Sequence, residues 1–273
     1  MTRAAALAAL SGGDVGRLVA GVSWVLPDEI VETTRSLSLD FAFVAADNVD
    51  AAELVAELHS LDAAAVWAVP GVLGRVAESL GWVEVLRFSV SEPGSLAVPL
   101  AEALHDALES ARAGVSAGAD CVLVADDLAG ATGPLVSPDY ALDALLPCYR
   151  SIASEVSGGA VAAFHSDGDV RVLMPALAHA GYSAVHVAGI GRDGVTASAR
   201  AAKAVGMVAI GGIVAVEIGV DPVGIGSFAG RLACEEGALV CDDGGLMSPD
   251  DLRAFGIAVD AARDAFAERQ ARA

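Results

Sequence analysis

The chain has 273 residues and a formal net charge of −20 at pH 7, which excludes an extended phosphate-binding surface, because DNA or RNA would be repelled. Hydrophobic residues make up 55% and aromatic residues only 5%. This Ala-rich composition suits close helix-on-sheet packing and is ample for one core. The longest run free of Asp, Glu, Lys, Arg and His, residues 204–216, has 13 residues, short of the ~18 that cross a bilayer, so no membrane partner is expected.

In chain order, residues 1–39 carry a short Ala-rich amphipathic stretch and then a segment around Pro27. They are expected to form an N-terminal cap ahead of one domain spanning 40–273. Arg3 and the apolar patch at 4–10 do not have the layout of a signal peptide. Cys121, Cys148, Cys234 and Cys241 fall at no disulfide-framework spacing, and a cytoplasmic protein is expected. From residue 40 onward, short apolar runs ending in Gly, Asp, Pro or Asn alternate with helical stretches. Strands are expected at 40–45, 64–69, 82–86, 121–125, 160–164, 184–187, 207–210 and 238–240. Helices are expected at 50–59, 71–80, 96–117, 138–156, 169–180, 194–205, 222–235 and 249–268. Strands this apolar are buried on both faces, as in a parallel sheet covered by helices. Eight strand–helix units in one domain predict an α/β fold closed as a (β/α)8 TIM barrel. An open doubly wound sheet is the competing architecture, but no Gly-x-Gly-x-x-Gly follows the first strand to make it a dinucleotide-binding one.

In such a barrel the chemistry lies at the C-terminal ends of the strands. Polar groups expected there are Asp47 and Asn48 after the first strand, Asp126 and Asp127 after the fourth, and His165 and Asp167 after the fifth. His186 lies in the sixth strand, with Arg192 just beyond it, and Cys241, Asp242 and Asp243 close the eighth. The segment His165-Ser-Asp-Gly is the most informative: His165 ends an apolar run, Asp167 stands two residues on, and Gly168 permits a turn. An imidazole, a thiolate and a carboxylate make a three-ligand zinc set with an open fourth position, and Cys241 is the thiol best placed to join His165 and Asp167. A lone strand-end His is more often a hydrogen-bonded structural residue, and Asp126-Asp127 serve equally well as helix caps. Cys121, Cys148 and Cys234 read as small buried hydrophobes, and His59, His105 and His179 as helix-surface or packing residues.

Several ordered blocks carry a family resemblance. Gly118-Ala-Asp-Cys-Val-Leu-Val-Ala-Asp-Asp-Leu-Ala-Gly is followed by Ser137-Pro-Asp-Tyr and Leu146-Pro-Cys-Tyr-Arg. Phe164-His-Ser-Asp-Gly-Asp-Val is followed by Leu173-Met-Pro-Ala-Leu and Ala180-Gly-Tyr-Ser-Ala-Val-His. The last block is Cys241-Asp-Asp-Gly-Gly-Leu-Met-Ser-Pro-Asp-Asp-Leu. Together, over about residues 113–263, these resemble the uroporphyrinogen decarboxylase superfamily, a barrel family with two functional branches.

The resemblance implies either cofactor-free decarboxylation of a porphyrinogen or corrinoid-linked methyl transfer. The decarboxylase branch carries an Arg-rich N-terminal segment, whereas here Arg3, Arg17 and Arg35 stand apart. The methyltransferase branch holds zinc through His-x-Cys and a later Cys. His165 matches the first ligand and Cys241 the last, while Asp167 stands where the middle Cys would be. The expectation is therefore zinc-assisted methyl transfer between a small molecule and a corrinoid carried by a partner protein. Zinc would be held by His165, Cys241 and Asp167. Asp126, Asp127 and Asp167 would be catalytic, and Asp47, Asn48, His186 and Arg192 would bind substrate. A homodimer is the assembly kept in view. The alternatives are a tetrapyrrole decarboxylase using Asp47 or Asp126, and a non-catalytic small-molecule-binding paralogue.

Overall fold

The computed structural model describes residues 2–130, 132–246 and 248–272. Eight strands follow one another around a parallel sheet in chain order: β1 (Gly21–Val22), β2 (Phe41–Ala45), β3 (Ala64–Pro70), β4 (Cys121–Ala125), β5 (Val161–Asp167), β6 (Ala184–Ala188), β7 (Val208–Ile213) and β8 (Leu239–Asp242). The ends of the sheet meet where Ala20 bridges Val240, and the Val240 N–H donates to the Val19 carbonyl at 2.9 Å. The sheet thus closes as the expected (β/α)8 barrel.

Period-two alternation sorts the strand side chains into two layers. Along β2, Phe41 and Phe43 point into the barrel with Val66, Leu123 and Ala163, while Ala42 and Val44 join the outer core beneath the helices. Both layers are apolar, which explains why these strands read as continuous hydrophobic runs. Outside them lie α2 (Pro27–Ser36), α3 (Ala51–Ser60), α4 (Val72–Leu80), α5 (Trp82–Ser91), α6 (Ala97–Ala117), α7 (Leu146–Val156), α8 (Met174–Ala180), α9 (Gly191–Ala204), α10 (Pro222–Glu236) and α11 (Pro249–Gln270). Helices α10 and α11 cross closely because Gly226 and Gly230 have no side chain. A Cβ on either would come within 2.1 Å of the carbonyl oxygen of Ala258 or Ala262. No helix among the described residues is long and apolar enough to cross a membrane.

Two expectations about the elements need correction. Residues 82–86 are not a strand: they open α5, whose buried face is Val85 and Ser89, four residues apart as a helix requires. Trp82, Val83, Val85 and Leu86 mimic a buried strand in composition, and Gly81, at φ +84°, marks the break from α4. Nor is 1–39 simply a cap. It supplies β1 and α2, and its first helix (Arg3–Leu10) plugs the barrel floor with Ala6, Ala9 and Leu10. The missing strand has only two residues, too few to show a period. The plug is tied down by Arg3 Nε to Asp120 at 2.8 Å and, beyond the helix, by Arg17 to Asp40 at 2.7 Å. Both carboxylates are buried.

Candidate functional site

At the C-terminal end of the barrel an open depression of about 500 Å3 is lined by Trp24, Ala125, Asp127, His165, Asp167 and Asp243, with Gly244 and Gly245 at its edge. His165 at its floor is backed by a second histidine. β5 and β6 pair in register at His165 and His186, so the two imidazoles lie side by side, His165 lining the depression and His186 buried behind it. The two Nδ1 atoms are 2.8 Å apart, and His186 Nε2 lies 2.8 Å from the carbonyl oxygen of Asp242.

These contacts fix the tautomers. A carbonyl oxygen only accepts, so His186 carries its proton on Nε2 and offers the Nδ1 lone pair. His165 must then donate from Nδ1, which leaves its Nε2 as a bare lone pair. Both rings are buried, and burial holds both neutral. His186 is pushed down to about 4, and His165 well below the ordinary imidazole value, first by burial and then by the neighbouring His186. His165 is 7% exposed, and its Nε2 points into the mouth at 3.8 Å from Asp127 Oδ1 and 3.7 Å from Asp167 Oδ1.

The three groups converge as a candidate ligand set. One donor atom from each of Asp127, His165 and Asp167 lies within 4.8 Å of the others. The loop that brings the carboxylates together is built locally: Asp127 Oδ1 accepts the Asp167 backbone N–H at 3.1 Å, and Ser166 Oγ accepts the Leu128 N–H at 3.0 Å. Gly168 sits at φ +80° directly against the Ala129–Gly130 backbone, where a Cβ would lie 2.4 Å from the Gly130 carbonyl oxygen. The turn foreseen at this glycine is therefore confirmed. Burial, followed by repulsion from Asp127 and Asp243, raises the Asp167 carboxyl. An imidazole whose far nitrogen is hydrogen-bonded and whose near nitrogen faces two carboxylates is how proteins prepare a divalent-cation site.

The other expected residues fall elsewhere. Cys241 is fully buried in the barrel interior, outside the converging group, and its Sγ lies 3.7 Å from Asp242 Oδ1. Burial and the Asp242 charge hold it as a thiol, and it lies outside the group that converges on His165. Asp126 points outward. Its carboxylate accepts the Leu73 and Gly74 N–H groups at the start of α4 and the Tyr149 hydroxyl, each at 2.8 Å. It caps a helix rather than doing chemistry, and burial raises it to about 6 against those three bonds. Asp47 and Asn48 stand in the turn before α3 and do not line the depression. Arg192, on the rim, is committed to Glu217 at 2.6 Å. His186 lies behind His165 and orients it rather than meeting substrate.

Two groups at the mouth carry no role in the sequence reading. Trp24, just after β1, packs edge-to-face with Phe43 and His165 and tilted against His186, with ring centroids 5.2, 4.7 and 5.5 Å away. It was hidden in the supposed cap. Asp243 is fixed by the Ala215 N–H, which it accepts at 2.6 Å; its place directly after Cys241-Asp242 was the only signal. Asp242 ties β8 to β1 by accepting the Ser23 N–H at 2.8 Å and the Ser23 hydroxyl. A second hollow, about 440 Å3, lies at the opposite end of the barrel. There Lys203 is paired with Glu236, and Arg17 with Asp40.

No protein-family model matches the chain, and no curated protein sequence matches it. Solved structures do. A methyltransferase from Methanosarcina mazei is 19% identical, with 97% of this chain and 98% of that one covered and a TM-score of 0.75. A mandelate oxidase variant (12% identity, 92% and 74% covered, TM-score 0.54) and a dihydrodipicolinate synthase (10%, 93% and 79%, TM-score 0.52) are more distant. At these identities the likeness is one of fold: all three share the chain's barrel architecture.

Proposed function

We propose that the chain is a metal-assisted methyltransferase, moving a methyl group between a small molecule and a corrinoid carried by a separate protein. The observation that carries this is the bare His165 Nε2 lone pair aimed between Asp127 and Asp167. Those three residues would hold the cation, zinc in the first instance, and they replace the His165–Asp167–Cys241 set expected from the sequence. One imidazole and two carboxylates are harder than a thiolate set, so manganese or iron compete with zinc more effectively here. When bound, the metal supplies Lewis acidity to the heteroatom that carries or receives the methyl group. The chain's own part is to hold His165 neutral through His186, to place the two carboxylates through Ser166 and Gly168, and to wall the mouth with Trp24.

The motif blocks that resemble the uroporphyrinogen decarboxylase superfamily support this reading, as does the full-length likeness in fold to a methyltransferase. Aliphatic side chains on the loops around the mouth support a protein partner: Val49, Val216 and Val220 are 98%, 86% and 87% exposed. The decarboxylase reading is disfavoured because Asp127, Asp167 and Asp243 line the mouth and Arg192 is already paired, so a polycarboxylate would be repelled.

The test is metal analysis of protein loaded with zinc and then desalted, with His165→Ala as control. Stoichiometric zinc that is lost in the variant is the expected result. Protein that takes up no divalent cation, and that consumes uroporphyrinogen, would overturn the proposal in favour of the decarboxylase. Protein that takes up no cation and has neither activity would point to the non-catalytic binding reading.

A further inference from the structure

Two further groups lining the mouth, Trp24 and Asp243, lie outside the Asp127–His165–Asp167 group and have a chemistry of their own. Among the described residues the lining holds three carboxylates, an indole and the neutral His165 imidazole, and no Lys or Arg. Asp127 and Asp167 flank His165 and would balance the charge of a dication. Asp243 does not belong to that converging group and keeps its charge for something else. Its Oδ1 is anchored by the Ala215 N–H at 2.6 Å, while its Oδ2 has only a long contact, 3.5 Å, to the Gly189 N–H. One oxygen therefore retains most of its acceptor capacity. Burial raises this carboxyl, a cost that a neighbouring cation would relieve. Trp24 is pinned by Phe43, His165 and His186, so its ring is held in place without further ordering cost.

An aromatic surface beside a carboxylate is the pairing that receives alkylated ammonium groups. An anionic or neutral ligand would leave Asp243 uncompensated. The depression, about 500 Å3, is of small-molecule size and has room for a head group and a short tail.

From this arrangement we infer that the small-molecule substrate is an onium compound, an alkylated ammonium seated between Trp24 and Asp243 and bearing an oxygen donor that reaches the His165 side. The oxygen end rests on the metal-centre reading; the cationic end rests on Trp24 and Asp243 alone.

The experiment is calorimetric titration of zinc-loaded protein with choline and with its uncharged isostere, dimethylbutanol. Choline should bind at least about tenfold more tightly, and Trp24→Leu and Asp243→Asn should each weaken it by about tenfold. Asn keeps an acceptor for the Ala215 N–H, so that variant tests charge rather than folding. Both variants should retain zinc, and Asp243→Asn should keep the parent melting temperature, while Trp24→Leu should lower it through lost ring packing. Equal affinity for the isostere, no saturable choline binding, or choline binding indifferent to both substitutions would overturn the inference. Zinc is measured on the same samples: choline failing while zinc is retained sinks the substrate assignment alone. Zinc failing while choline binds sinks the metal centre alone.

Discussion

Replacing His186 with Leu tests whether the histidine pair prepares the metal site. The substitution removes two hydrogen bonds, both 2.8 Å long, from His165 Nδ1 and to the Asp242 carbonyl. Each leaves a buried polar group without its partner, at about 1–3 kcal/mol apiece, so a loss of about 2–6 kcal/mol is expected. That is survivable for a domain with typical stability of about 5–15 kcal/mol. With Nδ1 no longer committed as a donor, His165 is free to place its proton on either nitrogen. Loss of the bond that orients a ligand typically weakens metal affinity by about 10–100-fold, or about 1.4–2.8 kcal/mol. The assay is competition against a chromophoric zinc chelator at neutral pH, with urea unfolding in excess chelator to report stability separately. A pH series adds a second readout. In the parent protein His165 stays neutral well below its ordinary value of 6.5, so zinc affinity should hold level as pH falls through that value. In His186→Leu the repulsion between the two rings is gone, the His165 value rises, and protons compete from a higher pH. Unchanged affinity together with an unchanged pH profile would refute the tautomer argument.

Other expectations follow from single contacts. Asp126→Ala should destabilise the fold by about 2–4 kcal/mol in urea, because two helix N–H groups and the Tyr149 hydroxyl lose their acceptor. Its zinc affinity should be unchanged, and a loss of zinc without a loss of stability would restore a catalytic role to Asp126. Gly230→Ala should cost about 1–3 kcal/mol by overpacking, since the new Cβ meets the Ala262 carbonyl oxygen; a neutral melting temperature would show that α10 and α11 separate freely. Stability between pH 6.5 and 4 should reflect opposed groups: His165 and His186, both lowered, against Asp126, Asp167, Asp242 and Asp243, all raised. His186, lowered from 6.5 to about 4, leaves the unfolded chain with the extra proton, so stability falls as pH drops, by about 3 kcal/mol in all. Asp126, raised from 3.8 to about 6, gives the native state the extra proton over about 6 to 4, so stability rises as pH drops by a similar amount. Asp126→Ala should therefore steepen the acid limb relative to the parent over about pH 6 to 4; an unchanged slope in that variant would show that the direction given for Asp126 is wrong.

The barrel was legible because six of its strands are continuous apolar runs of four residues or more with turn residues after them. The element that escaped was β1, two residues long, whose position is dictated by partners distant in sequence: Ala20 by Val240, and Ser23 by Asp242. Because β1 went unseen, the α5 segment at 82–86 was recruited as the eighth strand on hydrophobicity alone. The site was legible as a place, through His165 and Asp167, but not as a ligand set. Whether Asp126 or Asp127 turns inward depends on the pleat at the end of β4. The sequence cannot show that one of two adjacent carboxylates caps α4 while the other faces His165. His186 was visible as a strand histidine, but its orientation depends on the register with β5.

The placement of Cys241 and that of Asp167 are two sides of one electrostatic arrangement. A dication held by a neutral imidazole and two carboxylates has no net charge, whereas adding a thiolate would make the group an anion beside Asp242 and Asp243, both already raised by burial. A thiolate at Cys241 would pay for desolvation without gaining a counter-ion, because the converging group at His165 lies outside its reach. Kept as a thiol in the barrel interior, Cys241 acts as a small hydrophobe, and in the proposed site the carboxylates from the ends of β4 and β5 would serve as the charged ligands. The change from soft to hard donors then favours an oxygen or nitrogen atom over sulfur as the group brought to the site. It also leaves Asp243, the one mouth carboxylate outside the ligand set, to interact with the part of the substrate that does not reach the metal.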